Sequence, residues 1–120
     1  MKIAISSQGS TIDHVVDERF GRTSSFIIYD LEDNSYQELD NTQVLNSPQG
    51  AGIQSAQHVV DAGVEAVITG HVGPKAFKVL QAGDVKTYLV RGITVKEAIT
   101  EFKAGSLHHT ESNDREDHWV

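Results

Sequence analysis

Apolar residues in this 120-residue chain come in short runs, each closed by glycine or by a polar cluster. Lys2 to Ser6 is a compact apolar run and reads as a buried strand. Ser7 to Ser24 is polar and long, and a loop of that length in a compact domain is either functional or disordered. Ser25 to Leu31 and Tyr36 to Asp40 read as two strands of a hairpin around the turn cluster Glu32-Asp33-Asn34-Ser35. Asn41 to Gln49 is polar, contains Pro48, and reads as a connection.

Beyond that point the spacing of apolar positions becomes helical. A helix is expected from about Gly52 to Ala62, with Ile53, Ala56, Val59 and Val60 on its buried face. Gln54, Gln57, His58 and Asp61 then face solvent, and Gly63 stops the helix. Val64 to Thr69 is almost continuously apolar, as a parallel strand covered on both faces should be. Gly73-Pro74 opens a second helix, because proline is well tolerated at the first helical position. Ala76, Phe77, Val79 and Leu80 supply its buried face, and Gly83 ends it. Lys86 to Val90 is the last expected strand. Thr94 and Glu97 form a capping box for a third helix, whose stripe is Val95, Ala98, Ile99 and Phe102 and which Gly105 ends. The order is β-β-β-α-β-α-β-α: three antiparallel strands, extended in parallel by two that follow helices. The expected division is one α/β domain over residues 1–105 and a flexible polar C-terminal tail over 106–120, disordered by composition.

Charge and composition narrow the function. A formal net charge of -7 argues against nucleic acid and acidic membranes as partners. No apolar run is long enough to span a bilayer, and the N-terminus lacks a signal-peptide core, so a cytoplasmic monomer is expected. The chain has no cysteine, which removes thiolate nucleophiles and the usual ligands of zinc and iron–sulfur centres.

The strongest chemical signal is Arg19-Phe20-Gly21-Arg22, two arginines at a glycine turn where a loop enters a strand. Two later glycine turns, Gly50-Ala51-Gly52-Ile53 and Gly70-His71-Val72-Gly73-Pro74, each open a helix, and helix starts receive anions through free N–H groups and the dipole. Each feature has a plainer reading. Arg19 and Arg22 could pair with Asp17 or Glu18 as ordinary loop residues, Phe20 could anchor the loop on the core, and the glycines could serve turns alone. Two helix starts beyond the carboxyl ends of adjacent parallel strands are nevertheless the usual ligand position of an open α/β sheet. Gly50 to Ser55 imitates a dinucleotide fingerprint in part, but serine replaces its last glycine and no parallel strand clearly precedes it, so a nicotinamide cofactor is rejected. His71 reads equally as a metal ligand or as a solvated loop residue. His58 reads as solvated, His14 could approach the same loop, and His108, His109 and His118 belong to the tail.

Four stretches carry a resemblance: Met1 to Ile5, Arg19 to Arg22 before Phe26-Ile27-Ile28-Tyr29-Asp30, Gly50 to Ile53, and Ala66 to Ala76. In this order they resemble the dinitrogenase iron–molybdenum cofactor biosynthesis family. That NifX-like group includes the C-terminal domain of NifB-like proteins and the molybdenum–copper orange protein. The resemblance covers about residues 1–105; Asp84 departs from the pattern at a turn, and the tail after Leu107 lies outside it. It implies a ribonuclease-H-like α/β fold, a five-stranded mixed sheet in the order 3-2-1-4-5 with three helices. It also implies binding, storage or delivery of an anionic metal–sulfur cluster of iron–molybdenum or molybdenum–copper type, without cysteine ligation. Cluster donor and acceptor proteins would then be the partners.

Two other classes remain open. A regulatory module binding a small anion or a protein is compatible with the sequence. A phosphoester hydrolase needs carboxylates converging on paired magnesium ions, yet the first strand offers no acid and the central strand only Glu65, near its start. No enzymatic activity is expected.

Overall fold

The computed structural model describes residues 1–45 and 50–110. The strands are β1 (Lys2–Ser7), β2 (Ser25–Asp30), β3 (Tyr36–Asp40), β4 (Ala66–Thr69), β5 (Lys86–Leu89) and β6 (His109–Thr110). The helices are α1 (Thr42–Leu45), α2 (Ala51–Asp61), α3 (Pro74–Ala82) and α4 (Val95–Lys103), with a 3₁₀ turn at Phe20–Arg22. One mixed sheet has the order β3-β2-β1-β4-β5-β6. β1 pairs antiparallel with β2, from Lys2 opposite Asp30 to Ser7 opposite Ser25, and β2 pairs antiparallel with β3. β1 pairs parallel with β4, and β4 parallel with β5.

Alternation along the strands builds two cores, one on each face. Ala4, Phe26, Ile28 and Val67 pack with Ala56 and Val59 of α2 and Ala76, Phe77 and Leu80 of α3. Ile3, Ile5, Ile27, Tyr29, Ala66 and Ile68 pack on the other face with Val95, Ala98 and Ile99 of α4. β4 is buried throughout, and apolar from Ala66 to Ile68, because it is central and covered on both faces.

The five-stranded, three-helix expectation needs two corrections. The sheet has a sixth strand, because His109 and Thr110 pair antiparallel with Tyr88 and Thr87 and cover the edge of β5. Polar composition hid this strand, whose stability comes from backbone pairing and from the edge-on contact of His109 with Tyr88, ring centroids 6.1 Å apart. The expected tail from residue 106 therefore includes paired backbone, while residues 111–120, His118 among them, lie outside the described residues. The polar connection after β3 also contains a single helical turn, α1. Asp40, at the end of β3, fixes its first residue: Asp40 Oδ1 accepts the Thr42 N–H at 2.9 Å and the Thr42 hydroxyl at 2.8 Å. Those bonds, the backbone one first, hold the Asp40 carboxyl below the usual carboxylate range.

The long loop between β1 and β2 is pinned at both ends of its course. Val16 N–H donates to the Ile93 carbonyl at 2.9 Å, and Asp17 N–H donates to the Ser6 carbonyl at 2.9 Å. Phe20 is buried against Phe26, ring centroids 5.4 Å apart. Loop carbonyls also close the start of α4: Ile12 accepts from Lys96 N–H at 2.8 Å and His14 from Val95 N–H at 2.9 Å. The capping box completes that closure, with Glu97 N–H donating to Thr94 Oγ1 at 3.1 Å and Thr94 N–H to Glu97 Oε1 at 2.9 Å. Thr94→Ala removes one half of the box and is expected to cost about 1 kcal/mol of stability. Urea unfolding should show a lower midpoint with an unchanged slope; an unchanged midpoint would show that the loop carbonyls cap α4 alone.

Candidate functional site

The starts of α2 and α3 differ in kind from that of α4. Gly50, the N-cap of α2, has φ of 74°, a left-handed conformation that glycine adopts without strain. Gly73 is the N-cap of α3, with Pro74 at its first position. Both N-cap residues are glycine and supply no side-chain cap. The N–H groups of Ala51, Gly52 and Ile53, and of Lys75 and Ala76, find no acceptor among the described residues. Two open helix starts are thus presented together.

Small residues bring them together. A Cβ on Gly52 would stand 3.4 Å from the Ala76 Cβ, so α2 and α3 approach closely at their first turns. A Cβ on Gly21 would stand 3.0 Å from the Gly52 Cα, so the 3₁₀ turn is pressed onto the same point. Backbone pairing fixes the third segment: Arg19 bridges His71, and Phe20 N–H donates to the His71 carbonyl at 3.2 Å.

The result is an open groove of about 760 Å³, lined by Arg19, Phe20, Gly21, Arg22, Gly50, Ala51, Gly52, Ile53, His71, Gly73, Pro74, Lys75 and Ala76. Its charged lining is all cationic, in a chain of formal net charge -7. Arg22 is exposed and has no carboxylate partner among the described residues. Arg19 is largely exposed, with Nε 3.5 Å from Asp17 Oδ1. Its floor and rim are apolar, formed by Phe20, Ala51, Pro74, Ala76 and Ile53.

Eleven of the thirteen residues singled out in the sequence line this groove, whereas Gly70 and Val72 do not. Val72 is buried in the core beside α2 and α3. Gly70 is buried under Glu18, where a Cβ would lie 2.5 Å from the Glu18 Cβ and 2.7 Å from its Cα. Glycine there is required by the close approach of the Glu18 backbone. Ile53, expected on the buried face of α2, is 40% exposed at the groove rim. Ser55 takes a buried place instead, accepting from Asn41 Nδ2 at 3.0 Å. His58 is half-buried, bonded to Asn41 Oδ1 through Nδ1 at 2.7 Å, and was expected to be solvated. His14 does not line the groove; it sits in a turn beside α4, its Nδ1 3.0 Å from the Thr11 hydroxyl. Among the described residues no group of three or more His, Cys, Asp or Glu side chains could hold a metal ion.

Lys75 and Ala76 escaped the sequence reading. Lys75 carried a signal. It stands in the first turn of α3, where the helix dipole disfavours a cation, so its place there calls for an anionic counterpart. Ala76 was read as core, and it serves both core and groove.

The chain is thus a three-layer mixed α/β domain with a groove at two helix starts whose charged lining is cationic. Residues 1–105 match the family described as Dinitrogenase iron-molybdenum cofactor, and the chain belongs to that family. It is similar to the orange protein of Desulfovibrio gigas, solved in its apo form, at 34% identity and a TM-score of 0.92, covering 94% of this chain and 95% of that one. It is also similar to a Thermotoga protein described as a putative NifB protein, at 37% identity and a TM-score of 0.80, covering 94% and 97%. An uncharacterized protein of Methanocaldococcus jannaschii is 28% identical over 92% of both chains. Among the described residues no helix is long and apolar enough to cross a membrane.

The two glycines of the Gly70–Pro74 turn should respond differently to alanine. Gly70→Ala places a methyl group against the Glu18 backbone and should cost about 1–3 kcal/mol. Gly73→Ala meets open space at φ of -72° and should cost no more than the ~1 kcal/mol of an N-cap exchange. Equal unfolding midpoints for the two variants would contradict this assignment.

Proposed function

We propose that the groove holds a preassembled anionic metal–sulfur cluster, of iron–molybdenum or molybdenum–copper type or a precursor, as cargo to be stored or delivered. One observation carries this reading: two uncapped helix starts and three basic side chains share a groove with no carboxylate in its lining. The orange protein's likeness and the family's description support cluster chemistry over other anions.

The cargo chemistry fits the residues present. Cysteine is absent and no multidentate metal site is formed among the described residues, so the cluster brings its own sulfide. Cluster sulfides accept from the N–H groups of Ala51, Gly52, Ile53, Lys75 and Ala76, and Arg19, Arg22 and Lys75 supply charge-assisted contacts. His71 is the single groove residue suited to ligate an exposed metal. The apolar floor favours a large, weakly hydrated sulfide anion over a compact phosphate, whose hydration shell it cannot replace. This counts against the small-anion regulatory reading. The hydrolase reading loses further ground, because the groove lining holds no carboxylate for magnesium. Binding without covalent ligation is reversible, and the domain folds without its cargo.

Titration with tetrathiomolybdate, followed by its visible absorption under anoxic conditions, tests the reading. Arg22→Ala should weaken binding by about 1–2 kcal/mol at low ionic strength and by less at high salt. His71→Ala should change the bound spectrum if the imidazole touches metal. Phosphate at equal ionic strength should compete poorly. Unchanged affinity in the Arg22→Ala, His71→Ala double variant, or metal found only at His108, His109 and His118, would sink the proposal.

A further inference from the structure

Asp17 was read in the sequence as no more than a surface partner for an arginine. The structure gives it a different place. Its side chain is 6% exposed, whereas that of its partner Arg19 is 71% exposed. Asp17 Oδ1 accepts the Arg19 backbone N–H at 3.0 Å and lies 3.5 Å from Arg19 Nε. One buried carboxylate oxygen therefore holds both the main chain and the head group of the same residue. Asp17 is itself fixed, since its N–H donates to the Ser6 carbonyl at 2.9 Å. Its carbonyl accepts the Ser6 hydroxyl at 2.6 Å, and Ser6 in turn bonds the Thr69 hydroxyl at 2.7 Å. These are buried bonds at the carboxyl ends of β1 and β4, the two central strands. The next residue, Glu18, clamps the loop from the other side: its Oε2 accepts the Gly92 N–H at 2.9 Å and its Cβ packs over Gly70.

A carboxylate beside an anion site is unfavourable by charge alone. The Arg19 end of the pair is largely exposed and the separation is 3.5 Å, so the ion pair itself adds little stability beyond the backbone bond that Asp17 accepts. A guanidinium drawn at Nε toward a fixed carboxylate 3.5 Å away keeps both terminal nitrogens for a ligand, and it loses less rotamer freedom when that ligand binds. We propose that Asp17 is a positioning residue for the groove: its buried carboxylate aims Arg19 at the anionic cargo, and this orientation outweighs the repulsion it adds. The inference rests on the groove being the anion site.

The two effects have opposite signs, which makes the test decisive. Asp17→Asn keeps an oxygen to accept the Arg19 N–H but removes the charge that holds Nε. Tetrathiomolybdate affinity is measured at low salt for the wild type, Asp17→Asn, Arg19→Ala and the double variant. If Asp17 acts through Arg19, Asp17→Asn weakens binding about three- to tenfold in the wild-type background. In the Arg19→Ala background the same change leaves affinity unchanged or tightens it, because only repulsion is then removed. The Arg19 Nε–Hε resonance should also move in Asp17→Asn before any ligand is added, while the backbone amide resonances of the rest of the domain stay in place and show that the fold survives. Tighter binding of Asp17→Asn in the wild-type background, or equal weakening in both backgrounds, overturns the inference while leaving the groove reading intact. Absence of binding by the wild type, or full affinity in Arg19→Ala, overturns the groove reading or Arg19's part in it, and the positioning role with it.

Discussion

The site depends on one steric constraint: three backbone segments must meet at Gly52. Gly21 of the 3₁₀ turn has no room for a side chain against the Gly52 Cα, at 3.0 Å from an added Cβ. Gly52 in turn lies 3.4 Å, by the same measure, from the Ala76 Cβ on α3. The tight point is Gly21 on Gly52, where an added Cβ would press the arginine loop off α2, while a Cβ on Gly52 would reach ordinary contact with Ala76. Nothing in the two cores demands that closeness, because Ala56, Val59, Phe77 and Leu80 already seat the helices on the sheet. The contact is better explained by what it creates at the surface than by what it adds to packing.

What it creates is electrostatically unfavourable for the protein alone. Two helix starts lie together, with no acceptor for their first N–H groups among the described residues, and Arg19, Arg22 and Lys75 add positive charge. The contrast with α4 shows that this fold can close a helix start when closure serves it, since loop carbonyls and a capping box satisfy that helix's first turn. Leaving α2 and α3 open, in a chain with seven more acidic than basic charges, concentrates positive potential in one place. An anion seated there relieves the repulsion among the groups that hold it, so occupancy should stabilise the domain in proportion to ligand concentration.

Much of this was legible before the structure. The succession of the first five strands along the chain followed from the hairpin signal, the apolar run at Val64 to Thr69 and helix punctuation by glycine, and their order across the sheet from the family resemblance. The capping box at Thr94 was readable residue by residue. Three glycine- and arginine-bearing turns far apart in sequence were assigned to one surface, and most of their residues line one groove. The misses share a cause: each turned on a partner distant in the chain. Gly70 looked like a ligand turn, because nothing local shows that Glu18 crosses over it. Ile53 fitted the apolar face of a helix, but that face is split between core and groove at the first turn. His58 looked solvated because its partner Asn41 lies in the preceding connection. β6 was invisible because edge pairing uses backbone, and hydropathy does not report backbone.

The absence of cysteine ties the chemistry to the constraint at Gly52. A protein that ligates a cluster through thiolates gains affinity from a few strong bonds, and release then requires breaking them. On the proposed reading, affinity comes from many directional but individually modest contacts, and each works only if its donor already points at the cargo. Rigid placement of weak donors is therefore the device that replaces strong ligands. This is why backbone closeness at Gly21, Gly52 and Ala76 and the grip of Asp17 on Arg19 belong to one account. Both fix where donors stand before the cargo arrives, and both leave it free to depart intact.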